Sequence, residues 1–323
     1  MSKNPQGLAQ DDKDVDLMPV VERRTQRFKM GIVGHGYVGQ AVDYAFSTEL
    51  VDKFVVDPKY SENTISDLCE WQPTCVFICL PTPSKDDGRC DSKGIDEAVI
   101  KLINQTDAFI VIKSTVPPDV IDRLSRIDQR IVYNPEFLTE GNSKVDMVEA
   151  RYRVVGVQAQ EAAGHLEGLY NHFSIANPAQ LITMSPVEAS FFKYAVNNFL
   201  AMKVTFMNQL KQTMDDYGGS YNQLQRALSV DPRMGYSHTK IPGPDGKAGF
   251  GGACFPKDLS AFIAFADKKT GVDLGLLKSV QSINNEIRAE YDMDDREKAN
   301  NVSYDGQTKE EQQDSNDGSS ESK

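Results

Sequence analysis

The stretch Met30-Gly31-Ile32-Val33-Gly34-His35-Gly36-Tyr37-Val38-Gly39 decides the fold. Its first four residues are a short apolar run of strand type, and three glycines follow in the order Gly-x-Gly-x-x-Gly. A helix-like stretch continues to about Ser47, and a second apolar run, Phe54-Val55-Val56, ends in Asp57, 18 residues after Gly39. A glycine triplet alone is a weak signal. Placed between two strands, with an acid at the end of the second, it is the arrangement that holds a dinucleotide. Gly34 permits the tight turn, Gly36 lets backbone approach a pyrophosphate, and Gly39 allows close helix–strand packing. The helix N-terminus faces the phosphates. Asp57 would accept hydrogen bonds from ribose hydroxyls and repel a 2′-phosphate, so NAD is preferred over NADP.

Further runs of buried-strand character follow at Thr74–Leu80, Ala108–Ile112, Arg130–Tyr133 and Tyr152–Val157. Three of them close in polar, proline-containing segments: Pro81-Thr82-Pro83, Lys113-Ser114-Thr115-Val116-Pro117 and Asn134-Pro135-Glu136. In open α/β sheets ligands bind at the carboxyl ends of the strands, where these segments gather. The fold class is therefore α/β: a Rossmann-like, doubly wound parallel sheet followed by an all-helical central domain.

That second part begins at Ser185-Pro186-Val187-Glu188, a capping box with proline at the first helical position. The pattern predicts a helix from about Pro186 to Asp216, long for a globular protein. One face carries Phe192, Val196, Phe199, Met202, Phe206 and Leu210, enough to pack a core or a subunit partner; Lys193 and Asn197 project together on another stripe. Gly218-Gly219 ends it. A shorter helix over Tyr221–Ser229, a loop from Asp231 to Gly252, and helices over Lys257–Lys269 and Asp273–Ala289 complete the domain. The loop delivers Gly249-Phe250-Gly251-Gly252-Ala253-Cys254-Phe255-Pro256-Lys257-Asp258. If a helix starts here, Cys254 and Asp258 lie one turn apart. Helix N-terminal amides would lower the thiol pKa and favour a nucleophile that forms an acyl intermediate.

The chain has 323 residues, 40% hydrophobic and 25% charged, with a net charge of −12. This suits a soluble protein of about two domains and argues against nucleic acid as the main partner. From Glu290 onward there are 11 acidic and 4 basic residues, a net of −7, leaving about −5 elsewhere. Segments 1–27 and 290–323 read as a disordered extension and an acidic disordered tail. The NAD-binding domain is then 28–184 and the helical domain 185–289. The five cysteines show no disulfide framework or zinc spacing. Cys75 and Cys79 read as buried thiols, and Cys90, in a polar loop, as an exposed bystander. With no signal peptide and no membrane-length apolar run, the expected compartment is the cytoplasm.

Taken in order, the glycine turn, Pro81-Thr82-Pro83, Lys113–Pro117, Asn134–Gly141, the Lys193/Asn197 helix, Asp231–Gly235 and Gly249–Asp258 resemble the UDP-glucose/GDP-mannose dehydrogenase family, over Gly31 to about Arg288. Within it, the cysteine motif and the Lys-x-x-x-Asn helix look most like the UDP-glucose 6-dehydrogenases. The resemblance implies a four-electron oxidation of a nucleotide-sugar primary alcohol to a carboxylate, with two NAD reduced, and a homodimer formed through the long helix. It implies Cys254 as nucleophile and Lys193 as oxyanion stabiliser. Asn197 would bond near the reacting oxygen, Asp258 and Thr115 would hold a relay water, and Glu136 or Glu140 would be the hydrolytic base. Tyr37, Val38, Thr82, Thr115 and Glu140 would line the NAD site. Phe137, Leu138 and Gly251 would contact substrate through backbone, with Lys193, Asn197 and Arg233 also on the substrate. No metal is expected.

Two departures from the family stand out. Its members usually continue into a third, Rossmann-like domain, whereas here the acidic tail follows; the loop Tyr236–Lys247 is a candidate for holding phosphates in its place. Glu62 also stands where a basic residue often binds the adenosine ribose, with Lys59 a possible substitute. The alternatives are UDP-N-acetylmannosamine or GDP-mannose as substrate, a single-step hydroxyacid dehydrogenase, which Cys254 argues against, and a non-catalytic subunit paired with a complete enzyme.

Overall fold

The computed structural model describes residues 27–139 and 141–304. Seven strands form one sheet: β1 Phe28–Val33, β2 Val51–Val56, β3 Cys75–Ile78, β4 Phe109–Ile112, β5 Ile131–Tyr133, β6 Tyr152–Gly156 and β7 Gln180–Met184. Their spatial order is β2-β1-β3-β4-β5-β6-β7. Pairing is parallel except between β5 and β6, which meet antiparallel at Tyr133 and Gly156. The order reverses between β1 and β3, which places a ligand crevice at their carboxyl ends. The sequence reading did not include β7, whose Leu181-Ile182-Thr183 centre is only partly buried at the sheet edge.

Six helices cover the sheet: α1 Tyr37–Ala45, α2 Ile65–Glu70, α3 Lys93–Gln105, α4 Pro118–Ile127, α5 Ser143–Val148 and α6 Gln160–Phe173. Alternation along the strands divides the core. Met30, Ile32, Phe77 and Val111 face one side, while Val33, Val76, Ile78, Ile110 and Ile112 face the other. Each such side chain contributes about 1.5–3 kcal/mol when fully buried.

The helical part comprises α7 Pro186–Tyr217, α8 Tyr221–Val230, α9 Phe255–Phe265, α10 Gly275–Arg288 and α11 Asp295–Ala299, with a π-helical turn Ala266–Thr270 after α9. The predicted capping box is present at α7: Ser185 accepts from the Glu188 amide, and the Glu188 carboxyl accepts from the Ser185 amide. The start of α7 lies against β6, where a Cβ on Gly156 would stand 2.7 Å from Pro186 Cα. The Ser190 hydroxyl adds a 2.7 Å bond to the Val116 carbonyl.

Two expectations from the sequence are corrected. The acidic tail does not begin at 290: residues 291–304 fold back, α11 is capped by Asp294, and Glu297 and Tyr304 are buried. The acid that composition assigns to solvent is paired instead, Glu297 with Arg288 at 2.7 Å. Residues 305–323 and 1–26 lie outside the described residues, while Arg27, placed in the extension, pairs with Asp52 at 3.2 Å. Cys90 is buried, not exposed, because its loop returns through a bridge to Ser84 and tucks the thiol against Tyr194 and Ala261.

Candidate active site

At the crevice, Gly34 has φ +87°, and a Cβ on Gly39 would fall on the Gly34 carbonyl, well inside van der Waals contact. A Cβ on Gly36 would meet no atom within 4 Å. The second glycine thus leaves its face uncovered, as the approach of a pyrophosphate requires, and the glycine N-cap supplies no side-chain cap to α1. Asp57 ends β2 beside this turn, accepting the His35 amide at 2.6 Å and the Lys59 amide at 2.9 Å. The Tyr37 hydroxyl donates to the Thr139 carbonyl, tying the turn to the loop after β5. These residues fit NAD: α1 and the turn for its phosphates, Asp57 for its ribose. Gly39→Ala should weaken NAD binding about tenfold to a hundredfold by overpacking the turn. Titration calorimetry measures this, and wild-type affinity in the variant would refute the assignment.

The reacting cluster forms where α7 and α9 meet the ends of β3–β5. Lys193 donates to the Glu136 carbonyl at 2.6 Å and to its carboxyl at 3.2 Å, and its ammonium lies 5.0 Å from the Phe137 ring centre. Burial opposes the Lys193 charge, but Glu136 and then Asp258 more than offset it and raise its pKa above the ordinary lysine value. Asn197 donates to the Asp258 carboxyl at 2.6 Å. Thr82 donates to the Thr115 carbonyl at 3.0 Å, which ties the loop after β3 to the loop after β4. Leu138 donates its amide to the other Glu136 oxygen at 2.7 Å.

Cys254 is the N-cap of α9, one turn before Asp258, whose amide donates to the Cys254 carbonyl at 2.8 Å. The expected depressed thiol is not found. Burial is the largest effect and pushes the Cys254 thiol up to about 12; Glu136 and Asp258 add to this, and Lys193 and Lys257 oppose it. Alkylation of Cys254 by iodoacetamide, followed by peptide mass, should therefore keep accelerating above pH 9. A rate that levels off below pH 8 would overturn this.

Sequence reasoning gave no role to Lys257. It is buried against Asp258 at 2.5 Å and reaches the Thr82 hydroxyl at 3.4 Å, so it joins the start of α9 to the loop after β3. Burial works against its charge, and Asp258 outweighs this to hold its pKa well above the usual lysine value. Its adjacency to Asp258 in the quoted motif was the available signal.

Other predicted residues are not brought into the cluster. Arg233 is exposed and held by its neighbour Asp231 at 2.6 Å. The flank of Gly251 is covered: a Cβ there would meet the Arg288 guanidinium and the Glu297 carboxyl. In the loop proposed to hold phosphates, Asp245 pairs with Arg288 at 2.7 Å and Lys247 donates to the Asp292 carbonyl. Glu140 lies outside the described residues. Among those described, no group of three or more His, Cys, Asp or Glu could hold a metal ion, and no helix is long and apolar enough to cross a membrane.

Residues 49–174 match the NAD binding domain of the UDP-glucose/GDP-mannose dehydrogenase family, and residues 187–286 match its central domain. The chain belongs to this family. Among relatives of this dehydrogenase family, UDP-glucose 6-dehydrogenase of Rickettsia bellii is 36% identical over 220 residues, 65% of this chain and 49% of that one. The Rickettsia felis protein of the same name is 35% identical over 214 residues, 64% of this chain and 46% of that one. A UDP-glucose dehydrogenase structure from Pyrobaculum islandicum superposes with TM-score 0.69 at 26% identity, covering 81% of this chain and 69% of that chain. The chain spans about half the length of these curated dehydrogenase relatives.

Proposed function

We propose that this chain oxidises the primary alcohol of a nucleotide sugar to a carboxylate, with UDP-glucose to UDP-glucuronate as the leading case. The observation carrying this is the placement of Cys254 beside Lys193, Asn197 and Asp258 at the edge of a dinucleotide crevice. NAD, when bound, supplies the two-electron oxidation by accepting a hydride, once for each of two molecules.

In the first oxidation the alcohol carbon gives up its hydride while its hydroxyl proton passes to a base, leaving an aldehyde. Lys193 stabilises the oxygen as charge develops on it, in a buried position where such charge is worth most. Asn197, fixed by Asp258, orients that oxygen. The Cys254 sulfur then bonds to the aldehyde carbon and its proton moves to the oxygen, giving a thiohemiacetal. A second hydride and proton leave to form a thioester. Water held by Asp258 and Thr115 hydrolyses it, with Glu136 or Glu140 as base, releasing carboxylate and thiol. Because burial keeps Cys254 protonated, the thiol loses its proton during addition and not beforehand.

The deciding measurement is NADH released per sugar by the purified chain over UDP-glucose, UDP-N-acetylmannosamine and GDP-mannose. Two NADH per UDP-glucose is expected. Turnover of another sugar alone moves the specificity, one NADH per substrate points to a single oxidation, and no turnover together with binding to a longer relative makes the chain a non-catalytic subunit.

A homodimer through α7 is part of the same proposal. Phe199 and Phe206 on α7 are more than half exposed, and a groove of about 640 Å³ runs between Phe191, Phe192, Phe199, Met202, Leu276 and Leu277. A second copy can cover such a stripe by two-fold symmetry. Analytical ultracentrifugation of Phe199→Glu should show monomers where the wild type is a dimer.

A further inference from the structure

We propose that Glu297, Asn300 and Asn301 are positioning residues that couple the cofactor-side loop to the loop carrying Cys254. Ser84 lies two residues after Thr82. Its amide donates to the Asn300 carbonyl at 3.0 Å, and its own carbonyl accepts from the Asn301 side-chain amide at 3.1 Å. Gly252 lies two residues before Cys254, and its amide donates to the Glu297 carboxyl at 3.1 Å. Five consecutive residues thus hold one edge of each loop.

The link between them is stiff. Glu297 is fully buried; the oxygen that takes Gly252 also takes Arg288 at 2.7 Å and the Tyr304 hydroxyl at 2.9 Å, and the other takes the Asp294 amide at 2.8 Å. A buried carboxylate in such surroundings has little freedom to move without losing several partners together. The α11 capping box fixes the helix that carries it, and the Asn300 amide bonds back to the Arg296 carbonyl at 3.1 Å. The loop after β3 starts directly against the glycine turn, where a Cβ on Gly34 would stand 2.7 Å from the Cys79 carbonyl. A ligand that seats at the turn therefore bears on this loop and Ser84, and α11 transmits the displacement to Gly252 and Cys254.

This rests on the crevice binding the cofactor, but its test needs no sugar oxidation. The 323-residue chain is alkylated with iodoacetamide with and without ADP-ribose, and modification of Cys254 is followed by peptide mass. ADP-ribose fills the adenosine, pyrophosphate and ribose positions but carries no nicotinamide to shield the thiol. In the wild type it should change the Cys254 rate by about threefold to tenfold, the worth of one hydrogen bond. Asn301→Gly removes only the side-chain bond, and glycine accepts the φ of +52° at this position. That variant should show a response to ADP-ribose reduced to half or less at an unchanged melting temperature, with the Ser84 amide bond to Asn300 carrying what remains. Glu297→Gln, which keeps an oxygen acceptor for Gly252, should retain most of the response, and Glu297→Leu should lose it. If Glu297→Leu does not fold, Asn301→Gly decides alone. An equal response in Asn301→Gly and wild type, or none in the wild type, overturns the proposal. Failure to produce NADH from any sugar would overturn the oxidation reading and leave this ratio unaffected.

Discussion

Cys254→Ala is expected to lower formation of sugar carboxylate by roughly 10⁴-fold or more, because the proposed route to the acid passes through a covalent bond to this sulfur. The first oxidation does not need sulfur, so residual turnover should stop at the aldehyde with at most one NADH per sugar. Trapping with a hydrazine reagent and mass spectrometry distinguishes aldehyde from acid, and absorbance counts NADH. The change should hardly disturb the fold, since it removes a single sulfur atom from a small side chain. Two NADH per sugar from the alanine variant would eliminate the thioester route.

Lys193→Ala carries the second large effect, in two separable measurements. The ammonium is buried between the Glu136 carbonyl and carboxyl. Removing it leaves that carboxyl without its charged partner, a loss of about 3–5 kcal/mol in folding stability. For a chain of this size that is a drop of roughly 10 °C in melting temperature. Turnover, measured below the lowered melting temperature, should fall by about 10²–10³ as oxyanion stabilisation is lost. Arginine should not rescue it, since its larger planar guanidinium does not fit the buried point that the ammonium occupies between the Glu136 carbonyl and carboxyl. A melting temperature within 2 °C of wild type, or turnover within about threefold, would remove Lys193 from this role.

The parts of the site legible in the sequence are those whose chemistry is local. Gly34 and Gly39 are demanded by a turn only a few residues long, and Ser185 with Glu188 closes a cap within one helical turn. Cys254 and Asp258 likewise declare each other by their spacing. The pairing of Lys193 with Glu136 and of Asn197 with Asp258 was not legible, since each bridges about 60 residues; the resemblance only named the four as members of one site. Glu297 was misread for another reason: its partners Arg288 and Tyr304 lie within ten residues of it, but a count of charges sees neither pairing nor burial and makes the segment look solvated. The thiol was misread differently. A helix N-terminus is a local feature, but the burial that outweighs it is tertiary. Lys257 sat in the quoted motif, and only its contact with Thr82, 175 residues away, shows what it joins.

The contact between Gly156 and Pro186 sets the leverage of the long helix. With 32 residues, α7 is about 48 Å long at 1.5 Å per residue. Lys193 and Asn197 stand only about 10 and 16 Å from the anchored end. A tilt of about 3° about that anchor moves Lys193 by about 0.5 Å, the tolerance of a working site, and moves the far end by about 2.5 Å. As far as Asn208, which accepts the Gly249 amide at 3.1 Å, the helix is held by the rest of the domain; only the last turns toward the exposed Tyr217 can flex, while Lys193 stays at the quiet end of the lever.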